Sequence, residues 1–475
     1  MLIPLIIACA LFMENLDSSV VATSLPVIAA DLGVDPVALK LAFTSYLLSI
    51  AVFTPISGWC ADRYGARTVF RTAIVVFTLG SVACGFAGTL HQFVGARVLQ
   101  GLGGAMMVPV GRLVLLRSVE RSDYVRALSW LTIPGLMGPV LGPPVGGFIT
   151  TFFDWRWIFW VNVPIGVIGF VLVSIYIQNF KEEERRPLDR VGFVFSAIGL
   201  SGLVFGLAAS GIGLVPEMWE TILIGGGAGF VLLYIVHALR TEHPLIDLRL
   251  LRLVTFRTSV LGGLMFRLGI GALPFLLPLM LQLGFGLTAF QSGMLTFASA
   301  AGAMAMKVTA PPILRRFGFR KVLAINAILS AIFIAACALF TPATPGAAIF
   351  AVLTVGGFFR SLQFTAFNAV GFADIPRDKM SQATSLSSVM QQVSVAAGVT
   401  VAAFVLEASR SARGSTELAV SDFQNAFLVA GILSSLAIIV ALRLPRDAGA
   451  EISGHRVRGS GAALNTAAKA PDDAV

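Results

Sequence analysis

Long, uninterrupted apolar runs are the feature that most constrains this chain, because they fill most of its 475 residues. A bilayer core of about 30 Å is crossed by about 20 apolar residues of helix. Within lipid, only an α-helix or a closed β-barrel satisfies every backbone hydrogen bond. The strands of a barrel alternate polar and apolar residues, whereas these runs are continuous. The sequence therefore predicts an all-α membrane protein.

The composition excludes several other classes of protein. Charged residues make up 12% of the chain, whereas soluble domains carry roughly 25%. This excludes a soluble enzyme, a secreted disulfide-rich domain and a disordered chain. The basic residues form no continuous face of the kind that binds nucleic acid. No metal or cofactor is predicted, because the cysteines lie in or beside apolar runs without metal-ligand spacing: Cys9, Cys60, Cys84 and Cys337.

The apolar runs predict fourteen membrane spans. They lie near 3–30, 39–60, 69–90, 92–117, 125–151, 157–179, 191–211, 219–239, 258–283, 288–310, 320–341, 345–370, 382–408 and 423–443. An even number places both termini on one side of the membrane. Lys and Arg cluster in the loops of that side, and only Lys40, Arg156, Arg410 and Arg413 fall on the other. Since positively charged loops stay in the cytoplasm, we expect both termini there.

An internal repeat divides the spans into two related halves. The segments GWCADRYGARTV at 58–69 and PPILRRFGFRKV at 311–322 share Arg-aromatic-Gly-x-Arg, and residues 97–100 match 360–363. Related bundles packed around a central site are typical of secondary transporters. The predicted domains are an N-terminal six-helix bundle at 1–180, a charged linker with two extra spans and a basic interfacial helix at 181–256, a C-terminal six-helix bundle at 257–443, and a disordered cytoplasmic tail at 444–475.

Two carboxylates lie deep in the first span, and such residues are functional candidates because burying them costs several kcal/mol. Glu14 and Asp17 are three residues apart and share one helix face. At 1.5 Å per residue, Asp17 and Arg97 of the antiparallel fourth span both lie roughly 21 Å from the inner face. A carboxylate that meets an arginine in only some conformations can couple proton uptake to rearrangement. These three residues are the candidates for proton coupling; the alternative is a permanent ion pair that joins the two spans.

A glycine stripe in the fifth span is a candidate for a conformational role. Gly138, Gly142 and Gly146 recur every four residues, beside Pro139 and Gly147. Such a stripe lets helix backbones approach closely, and prolines kink the helix. We expect a contact between the two bundles that closes one end of the path; ordinary tight packing is the alternative.

The loop that follows the second span carries mixed charge. It contains Gly58, Asp62, Arg63, Gly65 and Arg67. One interpretation is a latch at the inner face, in which Asp62 bonds an arginine or a helix N-terminus in one state only. The other interpretation is a topology signal.

Further polar residues inside the spans are candidates for lining a substrate cavity. Among them, Arg267 either holds an anion or caps packed carbonyl groups, and the sequence leaves both interpretations open. The candidates are Gln100, Arg267, Asn368, Gln391 and Gln392.

Taken in order, these motifs resemble the major facilitator superfamily, and within it the fourteen-span drug:proton antiporters. The pattern Gly-x-x-x-Asp-Arg-x-Gly-x-Arg at 58–67 is similar to the superfamily's signature loop. The pattern Arg-x-x-Gln-Gly-x-Gly at 97–103 is similar to the fourth-span motif that the family uses in proton transfer. The run at 138–147 is similar to the antiporter motif, and the segments 12–26 and 155–166 resemble patterns of the fourteen-span group. The resemblance covers nearly the whole chain.

The resemblance implies two six-helix bundles with two extra linker spans and a function in efflux. The segment GGAMMVPVGRL at 103–113 is especially similar to bacterial multidrug-resistance transporters. We therefore expect a monomer in the bacterial inner membrane that exports small amphipathic or lipophilic compounds in exchange for protons. A same-fold exporter of one metabolite or siderophore is the first alternative, and a non-transporting membrane sensor is the second. Glu14 is commonly uncharged in the family, so it predicts a different proton count or cationic cargo.

Overall fold

Helical backbone follows from the apolar runs, because a helix satisfies its own hydrogen bonds in lipid. The computed structural model describes residues 2–118, 124–179, 187–210, 216–242, 244–376 and 379–455. Within these ranges the regular structure is entirely helical, without a strand, which confirms the all-α prediction.

The N-terminal bundle is built from eight helical segments. They are α1 (Leu2–Leu32), α2 (Lys40–Phe53), α3 (Ser57–Tyr64), α4 (Ala66–Phe86), α5 (Leu90–Ser118), α6 (Tyr124–Phe152), α7 (Trp157–Trp160) and α8 (Asn162–Tyr176). Short 3-10 turns at Pro36–Leu39 and Thr54–Ile56 extend α2 at both ends, each with a proline in its first turn. Proline is tolerated there because the first N–H groups of a helix have no partner within it.

Two inserted helices and the C-terminal bundle complete the fold. The inserted helices are α9 (Arg190–Ala209) and α10 (Glu217–Arg240), which pack on each other while α9 packs on α2. The C-terminal bundle comprises α11 (Val254–Ile270), α12 (Leu273–Leu279), α13 (Ala289–Ala336), α14 (Gly346–Gly371), α15 (Met380–Ala412), α16 (Val420–Ser435) and α17 (Ala437–Ala441). Of the charged linker that the sequence predicts, residues 180–186 lie outside the described ranges.

The loops gather at two ends of the bundles. The Asp35 end contains the loops at 33–35, 87–89, 153–156, 285–288, 340–345 and 413–419. The Gly65 end contains Gly65, Gly318 and the loops at 177–179, 187–189, 241–242, 372–376 and 442–449. At the Asp35 end, ion pairs join a loop residue to the end of a helix: Arg156 pairs with Asp31 of α1, and Asp35 pairs with Arg410 of α15.

Twelve helices in the described ranges are long and apolar enough to cross a membrane, so the protein is a multi-pass membrane protein. The longest of them, Ala289–Leu339, contains a sharp break at Gly318, where φ is 73° and ψ is 162°. The sequence places two spans, 288–310 and 320–341, in this stretch. The predicted total of fourteen spans stays a prediction.

The internal repeat reappears as a repeated backbone conformation. Gly65 ends α3 with φ of 95° and ψ of 133°, close to the values at Gly318. Residues other than glycine rarely adopt this region, which explains why both copies of the motif have glycine. Each turn packs against a polar side chain that follows the last helix of its own half, Asn179 for Gly65 and His455 for Gly318.

The segment before α11 differs from the predicted basic interfacial helix. Only Leu248–Arg252 is helical, as a 3-10 turn that the Asp247 side chain caps. Ile246 and Leu250 are buried, and the Tyr234 hydroxyl accepts a hydrogen bond from the Ile246 N–H at 3.0 Å. The alternating apolar residues therefore anchor the segment to α10 instead of forming one face of a helix in the bilayer surface.

The tail is ordered for longer than the sequence predicts. Leu444 is buried, a short helix α18 (Ala450–Ser453) follows, and the His455 ring lies 3.0 Å from the Arg315 carbonyl oxygen. The prediction of disorder from residue 444 is therefore wrong for residues 444–455, because apolar contacts with α13 hold them. Residues 456–475 lie outside the described ranges.

Candidate functional site

Asp17 and Arg97 form an ion pair inside the N-terminal bundle. The Arg97 Nη1 donates to Asp17 Oδ2 at 2.7 Å, and both side chains are fully buried. The other carboxylate oxygen, Oδ1, accepts hydrogen bonds from Gln100 Nε2 at 2.8 Å and from Asn162 Nδ2 at 3.0 Å. The structure thus brings together the two residues that residue counting places at one depth.

Glycines on α5 position Arg97 and Gln100 by letting neighbouring helices approach. A Cβ atom on Gly101 would lie 2.7 Å from the Cβ of Ser49 on α2. A Cβ on Gly80 of α4 would lie 2.6 Å from the backbone nitrogen of Gln100. Real Cβ atoms do not approach other atoms so closely, so α5 is wedged between α2 and α4 only because these positions lack side chains.

Arg97 has a second set of contacts that does not depend on Asp17. Its Nη1 donates to Gln100 Oε1 at 2.5 Å, and its Nε lies 3.5 Å from the Ala42 carbonyl oxygen. The guanidinium carbon stands 4.1 Å from the centre of the Tyr46 ring, a strong cation–π geometry. These contacts would hold the arginine in place when the carboxylate is neutral.

Glu14 lies beside this cluster but outside the ion pair. A Cβ on Gly104 of α5 would be 3.4 Å from the Tyr46 hydroxyl and 3.6 Å from Glu14 Oε1. The hydroxyl and the carboxylate are therefore at most about 7 Å apart. Glu14 Oε2 and the Tyr46 hydroxyl are both buried without a hydrogen-bond partner. A rotamer change or one water molecule could connect them.

Asn162 and Tyr46 are the site residues that sequence reasoning missed. Asn162 opens α8 inside a predicted span and is fully buried, with a second bond from its Nδ2 to the Ser81 hydroxyl at 2.9 Å. An asparagine within an apolar run is a usable signal, since buried amides require partners. Tyr46 gives no such signal in the sequence, because its role depends on which helix lies opposite.

The glycine stripe of α6 packs within its own bundle, which corrects the predicted contact between bundles. A Cβ on Gly138 would lie 2.7 Å from the Asn15 Cβ, and one on Gly142 would overlap Ser19. Gly146 faces Val20 and Thr23 in the same way. The stripe therefore lies against α1, the helix that carries Asp17. A stripe reveals how closely a helix is approached, but it does not reveal which helix approaches.

The contact between bundles falls on the residues next to the stripe, because one residue turns a helix by 100°. A Cβ on Gly147 would overlap the Ala289 carbonyl oxygen at the start of α13. A Cβ on Gly293 would similarly overlap the Pro143 carbonyl. Pro139, in contrast, is exposed. Among the four glycines of α6 that were predicted to gate, Gly147 is the one whose Cβ would meet the other bundle.

Polar contacts reinforce this closure at the Asp35 end. The Phe290 N–H donates to the Thr151 hydroxyl at 2.9 Å. The Gln282 side chain donates to the Thr23 carbonyl at 2.8 Å. Together with the pair between Asp35 and Arg410 at 2.5 Å, these contacts bring the two bundles together at this end.

The signature loop sits at the Gly65 end, between α3 and α4. The Arg67 Nη1 reaches the Ile177 carbonyl oxygen at 3.5 Å, and Arg63 stacks at 5.4 Å from the Trp59 ring. A Cβ on Gly58 would meet open space, so its backbone is not constrained by close packing. Asp62 lies in the last turn of α3, just before Gly65, and its role as a latch remains a prediction.

The predicted cavity residues of the C-terminal bundle share one property. Their side chains are buried or half-buried and form no hydrogen bond to another described residue, in contrast to Gln100. They are Arg267, Asn368, Gln391 and Gln392.

Comparison with known proteins identifies the family. Residues 7–239 and 259–468 match the model of the Major Facilitator Superfamily. The chain is 38% identical over 454 residues to "Putative multidrug resistance protein MdtD" of Salmonella heidelberg (strain SL476), and the alignment covers 93% of this chain and 94% of that protein. The protein of the same name from Salmonella paratyphi A (strain ATCC 9150 / SARB42) matches to the same extent.

Solved structures of lower similarity share the fold. The crystal structure of a D-xylose-proton symporter superposes with a TM-score of 0.67 at 15% identity, over 94% of this chain and 98% of that one. A POT family transporter in complex with a thioalcohol-conjugated peptide gives 0.68, also at 15% identity, over 92% and 94%. With a family model and relatives that each cover most of the chain, the protein belongs to the major facilitator superfamily of membrane transporters.

Proposed function

We propose that the protein is a proton-driven antiporter that exports small amphipathic or lipophilic compounds from a bacterial cell. The observation that carries the proposal is the buried pair of Asp17 and Arg97, in a chain similar to proteins named for multidrug resistance. An acid at this depth is a functional residue by default. The distribution of positive loops supports an orientation with the Gly65 end in the cytoplasm, and a monomer would suffice for this mechanism.

The proton step would occur at Asp17. Protonation removes the charge of the carboxylate, so its attraction to Arg97 is lost. Breaking a buried ion pair without compensation costs about 3–5 kcal/mol, but Arg97 keeps Gln100 and the Tyr46 ring as partners. The pair can therefore open without leaving the arginine isolated.

Helix α1 would transmit this change. Asp17 faces α5 and α8, whereas Asn15, Ser19 and Thr23 of the same helix lie on the glycine stripe of α6. A surface without side chains allows small sliding movements of packed helices. Loss of the ion pair would let α1 shift along α6, and the contacts between Thr23 and Gln282 would carry the shift to the other bundle.

The test is uptake of ethidium, driven by a pH gradient, into inverted membrane vesicles that contain the protein. Asp17→Asn should lower the initial rate at least tenfold. Asp31→Asn is the matched control, because it makes the same substitution on the same helix at an exposed ion pair, and it should retain most of the rate. Undiminished exchange by Asp17→Asn would reject Asp17 as the proton carrier.

Glu14 would supply a second carboxylate for cationic cargo. We expect Glu14→Gln to lower the uptake of ethidium more than that of a neutral dye, since only the cation gains from the charge. Equal uptake of both dyes by Glu14→Gln and the unmodified protein would remove Glu14 from the mechanism.

A further inference from the structure

Arg267 is a buried cation that pairs with no anion in the part of the chain that the structure describes. It lies on α11 with 3% of its surface exposed, and its Nε is buried without a hydrogen-bond partner. No carboxylate among the described residues pairs with it. Its guanidinium carbon lies 5.4 Å from the centre of the Phe364 ring of α14.

The buried arginines of the two bundles differ in how their charge is compensated. Arg97 is neutralised by Asp17 at 2.7 Å. Its repeat counterpart, Arg360, is also buried and donates to the Ser299 hydroxyl, and no carboxylate among the described residues pairs with it. Isolated buried charges cost several kcal/mol, so the C-terminal bundle holds guanidinium groups whose compensation is not in the described chain.

The guanidinium of Arg267 occupies space that the absence of a side chain at Gly263 provides. A Cβ on Gly263, one turn earlier in α11, would lie 2.5 Å from Arg267 Nη1. The guanidinium therefore lies along α11 in space that a side chain at position 263 would fill. This conformation depends on glycine and turns the donors toward the Gly65 end.

Arg267 also lies at the depth of the proton site. It is thirteen residues from the start of α11, about 20 Å along the helix, and Asp17 is fifteen residues from the start of α1, about 22 Å. Both helices start at the Gly65 end. Substrate sites in such repeated folds lie near the middle of the membrane, between the repeats.

Neighbouring residues extend the site with unpartnered amides and an apolar surface. Asn368 follows Phe364 by one turn on α14, so the two share a helix face, and Asn368 forms no hydrogen bond to a described residue. On α15, a Cβ on Gly398 would lie 3.1 Å from the Arg267 carbonyl oxygen, and Gln391 lies on the same face of α15 two turns earlier.

We propose that Arg267 binds the carboxylate group of a transported organic anion, with the Phe364 ring against the apolar part of that compound. A guanidinium matches a carboxylate through two parallel N–H···O bonds, and it stacks on flat apolar groups. The exported compounds would therefore include aromatic or otherwise planar carboxylates, beside the cations that Glu14 would favour. This inference rests on the proposed function, because it concerns the compound that the antiporter would export.

The test measures binding to the purified protein without a proton gradient. The probes are 2-naphthoate, salicylate and indole-3-acetate, each paired with its neutral amide. We expect Arg267→Gln to weaken binding of at least one carboxylate about tenfold or more, and to change binding of its amide less than twofold. Arg267→Lys keeps the positive charge but lacks the two parallel N–H donors of a guanidinium. It should therefore bind the carboxylate more tightly than Arg267→Gln and more weakly than the unmodified protein. Arg257→Gln, at an exposed arginine at the start of the same helix, should have no effect.

A thermal measurement separates binding from folding. Without a probe, Arg267→Gln should be at least as stable as the unmodified protein, because it removes an uncompensated buried charge. The carboxylate should raise the melting temperature of the unmodified protein and leave that of Arg267→Gln unchanged. A clear loss of stability in the variant without a probe would show an internal partner and overturn the proposal.

Two further outcomes would also overturn it: equal affinity of the variant for every carboxylate, or no carboxylate binding at all. Short-chain phosphatidylglycerol is tested in the same binding assay. If Arg267 binds this lipid but none of the carboxylates, the arginine holds a lipid headgroup instead of a transported compound. Because no gradient is used, carboxylate binding that depends on Arg267 would stand even if Asp17→Asn transports normally. Gradient-driven ethidium uptake without carboxylate binding would leave the proposed function intact and reject this inference.

Discussion

Substitution of Gly142 by alanine tests whether the smooth contact between α1 and α6 matters for transport. The new Cβ would overlap the Ser19 hydroxyl and lie 2.6 Å from the Ser19 Cβ. The hydroxyl could rotate away, but the Cβ could not. Ordinary contact begins at 3.4 Å, so the two helices would have to separate locally by about 0.8 Å.

The expected cost follows from this separation. Overpacking of a close contact costs typically 1–3 kcal/mol. The Ser19 hydroxyl would also lose its 3.2 Å hydrogen bond to the Gly138 carbonyl, although it keeps bonds within α1. We therefore expect Gly142→Ala to lower the free energy of unfolding by about 1–3 kcal/mol and to slow ethidium uptake several-fold.

Thermal unfolding in detergent and uptake into inverted vesicles measure the two effects. Gly225→Ala on α10 is the matched control, because a Cβ there meets open space. The double variant Ser19→Gly with Gly142→Ala removes the overlap and should recover most of the loss. The reasoning is refuted if Gly142→Ala behaves like Gly225→Ala, or if the double variant is no better than the single one.

Three further predictions follow from the contacts. Gly65→Ala should destabilise by about 1–3 kcal/mol in thermal unfolding, because φ there is 95°; Gly58→Ala, in open helix, should not, and equal effects would contradict the role of the turn. Arg410→Ala breaks a partly exposed ion pair with Asp35 that contributes roughly 0.2–1 kcal/mol. Distances between spin labels on the two bundles at the Asp35 end should then show an additional, more open population. Unchanged distances would contradict the role of this pair in closing that end. Asn162→Ala removes one donor from the buried carboxylate and should lower stability by about 1–3 kcal/mol; a melting curve identical to that of the unmodified protein would show that this bond contributes nothing.

The depth of the site was predictable because helices have a fixed rise. Counting residues along two antiparallel spans places Asp17 and Arg97 at one level, and they meet at 2.7 Å. The repeat likewise predicts related turns, and both Gly65 and Gly318 adopt positive φ. These inferences use distances along a single helix or identity between two segments, which the sequence contains directly.

Lateral arrangement was not predictable in the same way. The glycine stripe was assigned to the wrong partner, and Asn162 and Tyr46 were missed. The sequence shows which residues share a helix face, but it does not show which other helix packs against that face. The segment at 244–253 shows the same limit. Its alternating pattern fits a surface helix, but Tyr234 and the burial of Ile246 determine its conformation.

The two halves of the protein have diverged in charge while their backbones have kept a common pattern. The repeat places an arginine and a glutamine three residues apart in each half, yet Gln100 binds Asp17 whereas Gln363 binds Asn326 at 2.9 Å. In the N-terminal half, the Asp17 carboxylate compensates the charge of Arg97. In the C-terminal half, no carboxylate among the described residues compensates Arg267, which leaves that role to a bound ligand in the proposal above. Under the proposed function, this divergence would separate proton exchange at Asp17 from recognition of carboxylates at Arg267, and the helix contacts between the bundles at the Asp35 end would couple the two sites.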